Sequence, residues 1–150
     1  MRVYLVIMDE TEEASVALRF ASSRASRTGG AVHLLALIPR QPFVAFGGVQ
    51  ATIEAEAHAR AETLVTSAAG NLLSQSGQMP VISVRQGEGE KVIREYLTEH
   101  PEVSALVLGA ASEGGPGPLV THFSSAVGQL PCPLYKIGRA SCRERVLQVV

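Results

Sequence analysis

Tryptophan is absent from this 150-residue chain, aspartate occurs once, at Asp9, and cysteine occurs only at Cys132 and Cys142. Two cysteines make neither a disulfide framework nor a metal-ligand spacing. A single aspartate removes aspartate dyads, EF-hand calcium loops and a serine–histidine–aspartate triad, leaving only glutamate variants. No apolar run approaches the ~20 residues of a membrane-spanning helix. The formal charge of -1 offers no basic footprint for nucleic acid or for an acidic membrane surface. Met1 leads into "RVYLVIMDE", which ends in acid and lacks a signal peptide's small-residue cleavage site. The expected compartment is therefore the cytoplasm, with no nucleic acid and no membrane among the partners.

What remains is 46% hydrophobic, poor in aromatics and rich in alanine, a composition suited to helices laid closely on a sheet. "RVYLVIM" (Arg2–Met8) is a near-continuous apolar run, as in a strand buried on both faces. "TEEASVALRFASSRASRTGG" follows as a helix, with Ala14, Ala17, Leu18 and Ala21 on one face and Gly29–Gly30 as its stop. A second strand is expected over Ala31–Pro39 and a long helix from Ala51 to about Ser76, its stripe formed by Ile53, Ala57, Ala61, Leu64, Ala68 and Leu72. Pro80–Gly87 reads as a third strand, "GEKVIREYLTEHP" as a helix ended before Pro101, and Val103–Gly109 as a fourth strand. A glycine-rich loop, a short helix over roughly Val120–Leu130 and a last strand in "CPLYKI" complete the pattern. Strands alternating with helices imply one α/β domain, a doubly wound parallel sheet with helices on both faces. Ligands of such sheets sit beyond the carboxyl ends of the strands, where the strand order switches, and the residues there are Asp9 and Gly109.

The order and spacing of these pieces resemble the universal stress proteins over roughly Arg2–Ile137. The resemblance is carried by "VYLVIMDETEEASVALRFA", by a strand ending in glycine before a helix ("VRQGEGEKVIREYL"), by the apolar strand ending at the glycine-rich loop, and by "LPCPLYKI". It implies five parallel strands in the order 3-2-1-4-5 and a homodimer whose last strands meet across the interface. It also implies that ATP or AMP, if bound, lies at the loop after the fourth strand, with Asp9 beside the adenosine moiety. In nucleotide-binding members that loop reads Gly-x-x-Gly, nine residues, then Gly-Ser or Gly-Thr at a helix start.

This chain departs from that pattern. Gly109 matches the first glycine, but Ser112 occupies the second slot; counting nine residues on lands at His122–Phe123, and anchoring on "LPCP" places Val120–Thr121 where Gly-Ser belongs, so neither count supplies the glycine. Val120 is β-branched and cannot supply a glycine's conformational freedom or close approach. Gly114, Gly115 and Gly117 could offer other amide donors, although Pro116 and Pro118 remove two. Glu10 adds a carboxylate beside Asp9 that would repel a phosphate. Asp9 also has a local role open to it, because its spacing from Glu12 suits a helix capping box. The candidate nucleotide contacts are thus Asp9, Gly109, Ser112, Gly114, Gly115 and Thr121.

Other constellations are thinner. "AASEG" imitates a nucleophile elbow around Ser112, but His122 follows closely and only Glu113 intervenes as an acid. "QGEGEK" lacks the Gly-Lys-Ser/Thr ending of a phosphate loop. Glu54 and His58, at i and i+4, share a helical face without a third metal ligand and read as a solvated pair. His33 reads as a satisfied core histidine, and Cys132, between two prolines, as a small buried hydrophobe.

The tail stands apart. "IGRASCRERVLQVV" has no clear period and resembles the peptide translated from a sequencing adapter, so residues 138–150 are expected to be non-native or disordered, with a short helix as the alternative. Without its three arginines and one glutamate, 10 basic residues face 13 acidic ones. Three readings stay open: a non-enzymatic regulatory module without nucleotide and without metal, an ATP- or AMP-binding stress sensor, and a small hydrolase built on Ser112.

Overall fold

The computed structural model describes residues 2–9, 11–38, 47–110, 118–138 and 145–149. In chain order they form β1 (Val3–Met8), α1 (Glu12–Thr28), β2 (Ala31–Ile38), α2 (Gly47–Ser76), β3 (Val81–Gln86), α3 (Gly89–Glu99) and β4 (Ala105–Ala110). Then come α4 (Pro118–Ser125), a 3-10 turn (Val127–Gln129), β5 (Leu134–Gly138) and β6 (Arg145–Val149). The sheet order is β3-β2-β1-β4-β5-β6; the first five strands are parallel, as expected, and β6 lies antiparallel on β5.

Each strand expected from an apolar run ends within two residues of the observed one, because a strand covered on both faces needs apolar side chains at every position. β1, at the centre, shows the consequence. Tyr4, Val6 and Met8 point to a core shared with α1 and α2, whereas Val3, Leu5 and Ile7 point to a second core under α3 and α4. Alanines at 14, 17, 21 and 25 let α1 lie close on its side of the sheet. Gly29 ends that helix in the left-handed region, φ +68°, with its N–H bonded to the Ala25 carbonyl.

Two helices differ from the expected bounds. α2 starts at Gly47, four residues early, and its stripe is wider than expected, with Val65 and Ala69 buried as well. α4 starts at Pro118, where the missing N–H and fixed φ suit a first helical position. It stops at Ser125, whose hydroxyl turns back on the carbonyls of His122 (2.8 Å) and Thr121 (3.4 Å).

Within the segment expected to be non-native or disordered, residues 145–149 pair as a sixth strand, in register from Leu134↔Val149 to Gly138↔Arg145. A strand laid along the β5 edge satisfies its backbone there. β5 is consequently not an edge of this sheet; β3 and β6 are, and in β3 Val81 is 48% and Ile82 37% exposed. No helix among the described residues is long and apolar enough to cross a membrane.

Candidate functional site

The strand order reverses at β1, which has β2 on one side and β4 on the other. Tyr4, Leu5 and Val6 stand opposite Ala105, Leu106 and Val107, so this register carries Asp9 and Gly109 to the same end of the sheet. Of the other candidate contacts, Thr121 lies on the exposed side of α4's first turns. Ser112, Gly114 and Gly115 lie outside the described residues.

Asp9 is engaged locally, although not as the cap the sequence suggested. The cap of α1 is Thr11 (φ −92°, ψ 156°), whose hydroxyl oxygen accepts from Ala14 N. Asp9 Oδ1 accepts from Thr11 N at 2.9 Å and from the Thr11 hydroxyl. No capping box forms, because N3 is Ala14; instead Asp9 holds the capping residue, and Thr11 holds the helix. Thr11→Ala should cost about 1 kcal/mol in urea unfolding, the usual loss for a hydroxyl cap; an unchanged midpoint would show the cap to be idle.

Gly109 has a tertiary reason to be glycine. A Cβ there would lie 2.1 Å from the Glu13 carbonyl oxygen and 2.4 Å from its carbon. The first turn of α1 thus rests directly on the β4 backbone, and the glycine's missing side chain is the space it occupies. Val120 is explained by packing as well. It is buried with Phe123 in the core under α3 and α4, next to Leu106, Leu108 and Cys132. Where the resemblance asks for a glycine, this chain has a core valine.

His122 turns toward α3. Its Nε2 lies 3.2 Å from Arg94 Nη2 and its Nδ1 3.7 Å from Glu90 Oε1, and both α3 residues line an open cleft of about 480 Å³ together with Lys91 and Glu88. Arg94 also lies over the Phe123 ring, 5.5 Å from its centroid. His58 pairs with Glu62 at 3.0 Å, both exposed. Among the described residues no group of three histidines, cysteines or acids could hold a metal. Cys132 is buried, and burial pushes its thiol up to about 11, so the thiolate is scarce at neutral pH. His33 is buried and satisfied by Tyr96, a partner 63 positions away that no spacing rule could indicate.

A profile of the universal stress protein family matches residues 1–135. No curated sequence matches the chain. Among solved structures, the universal stress protein UspA from Lactobacillus plantarum superposes with a TM-score of 0.76 at 20% identity, covering 93% of this chain and 97% of its own. A universal stress protein family protein from Arabidopsis thaliana, solved with AMP bound, gives 0.64 at 16% identity, with 94% of each chain covered. A universal stress protein solved in complex with cAMP gives 0.56 at 11% identity, covering 90% of this chain and 95% of its own. At such identities the superpositions speak for the fold; the profile over most of the sequence speaks for descent. With the five parallel strands in the expected order and the family profile spanning them, this chain belongs to the universal stress protein family.

Proposed function

We propose that the chain is a stress-response regulatory module that works through protein contacts, catalyses no reaction and binds no nucleotide. The observation that supports this most is Gly109. The one glycine retained from the phosphate-loop pattern is filled on its side-chain face by the backbone of Glu13, so its presence needs no ligand to explain it. Val120 in the core and Asp9 Oδ1 committed to Thr11 point the same way. His122, with both ring nitrogens facing α3, offers no base to a nucleophile at Ser112. The test is to denature freshly purified protein and analyse the released small molecules by chromatography. An absence of adenine nucleotide is expected; near-stoichiometric AMP or ATP would overturn the reading.

A second reading, an AMP- or ATP-binding sensor, is favoured by one arrangement. Asp9 and Gly109 meet at the strand-order switch, where sheets of this type take ligands. Two of the structural relatives were solved with AMP and cAMP.

We also place a homodimer contact on the outer edge of β5, the edge now paired by β6. An antiparallel strand there stands where a two-fold-related β5 would stand, and it satisfies the same backbone groups. A chain ending at Gly138 should therefore sediment as a dimer and the full chain as a monomer. A truncated chain that stays monomeric at high concentration would remove the β5 contact from the proposal.

A further inference from the structure

His33 and Ser22 are the buried polar residues of the described core, and the strand-end site uses neither. The His33 ring belongs to a group drawn from four separate segments. Its Nδ1 lies 2.8 Å from Oη of Tyr96, a fully buried α3 residue. His100, which follows α3, stacks on the Tyr96 ring with centroids 4.0 Å apart and planes at 17°, and its ring meets that of His33 edge-on at 5.8 Å. His100 Nδ1 lies 3.1 Å from the Tyr96 carbonyl oxygen, to which its N–H donates. Arg85 of β3 sits 5.0 Å from the Tyr96 centroid and is paired with Glu99. Glu102, in the turn before β4, is the remaining carboxylate acting on the group.

The direction of the hydrogen bonds follows from the donors available. With the Tyr96 phenol keeping its proton, the Tyr96 O–H points at His33 Nδ1, which accepts as part of a neutral imidazole. A proton on Nδ1 would set two donors face to face and place a cation beside a second imidazole, away from water. Burial lowers the His33 pKa below its ordinary value, His100 lowers it further, and Glu102 works against both. Burial likewise raises the Tyr96 phenol, partly countered by Ser83 and Arg85, so the phenol keeps its proton.

We infer that His33, Tyr96 and His100 form a proton-operated latch that holds the end of α3 to β2 and β3, closed while His33 is neutral and released when His33 takes up a proton. The elements it joins are suited to local release. β3 is an edge strand of the sheet and no residue of it is fully buried, and α3 ends at this contact. The buried side chains of β1 and β4, by contrast, are held from both faces. The sign is set by linkage. With the folded pKa below the unfolded value near 6.5, the stabilisation is complete above that pH and is lost as pH falls from about 6.5 toward the folded value.

Hydrogen exchange of the full chain at pH 7.5 and pH 5.5, corrected for intrinsic rates, tests the latch. Peptides covering β3 and residues 96–104 should lose protection at the lower pH relative to those covering β1, by at most about tenfold per pH unit for each proton taken up. His33→Asn, whose amide oxygen can accept from Tyr96 without titrating, should abolish that difference. A uniform loss over all elements, or the same local loss in His33→Asn, would overturn the inference. Should the variant not fold, the ring resonances of His33 in the unaltered protein decide by NMR. A midpoint below about 6.5 supports the latch, and one at or above that value contradicts it.

Discussion

Gly109→Ala should destabilise the folded chain by about 3 kcal/mol in urea unfolding, the upper part of the usual range for overpacking. The new methyl would stand 2.1 Å from a backbone carbonyl, and backbone cannot yield by changing rotamer. Either α1 lifts from β4, giving up alanine contacts along the helix, or β4 bends at its carboxyl end. For a chain of this length the loss corresponds to a fall in melting temperature of roughly 6–12 °C. The measurement separates two roles for the same glycine. If Gly109 served only the approach of a phosphate, the ligand-free protein would tolerate alanine, and a change below about 0.5 kcal/mol would show that.

Phe123→Ala should cost more, about 3–5 kcal/mol, as for other fully buried aromatic truncations. Phe123 is wholly buried where α4 meets Val92, Ile93, Leu106 and Leu134, and Arg94 rests over its ring. α4 has eight residues, so its position depends on this one anchor and on Val120. The neighbouring His122→Ala should change stability by less than about 1 kcal/mol, because that half-exposed side chain faces the α3 cleft and leaves no cavity. Equal losses for the two substitutions would mean that α4 is not held as described.

The inner parallel strands are legible in the residues alone because burial on both faces writes an unbroken apolar run, as in "RVYLVIM" and "VSALVLG". Boundaries set by local chemistry are legible where that chemistry is strong, as at Gly29. They mislead where two local devices compete: Asp9 has the spacing of a cap, yet Thr11, two residues nearer the helix, takes that place with Asp9 behind it. The tail has neither period nor turn signals, and its pairing depends on the β5 edge, which is a property of the sheet and not of those residues. At the site, position is legible and purpose is not. Counting along the loop locates Gly109 at the strand-order switch, but the reason for a glycine there is the backbone of Glu13, near the other end of the chain. The same holds for His33, which can be seen as a core histidine while its union with Tyr96 and His100 depends on how α3 lies across β2.

The His33 group lies on the α3 face toward β3, apart from Asp9 and Gly109 at the ends of β1 and β4. A protein released at low pH through α3 could therefore signal without any adenine nucleotide. The direct measurement is thermal unfolding of the chain at pH 7.5 with AMP or ATP at 1 mM. No shift beyond that given by an equal concentration of inorganic phosphate is expected. A ligand bound with a dissociation constant near 10 µM would add about 2.7 kcal/mol and raise the melting temperature by roughly 5–10 °C, and that result would contradict a nucleotide-free module.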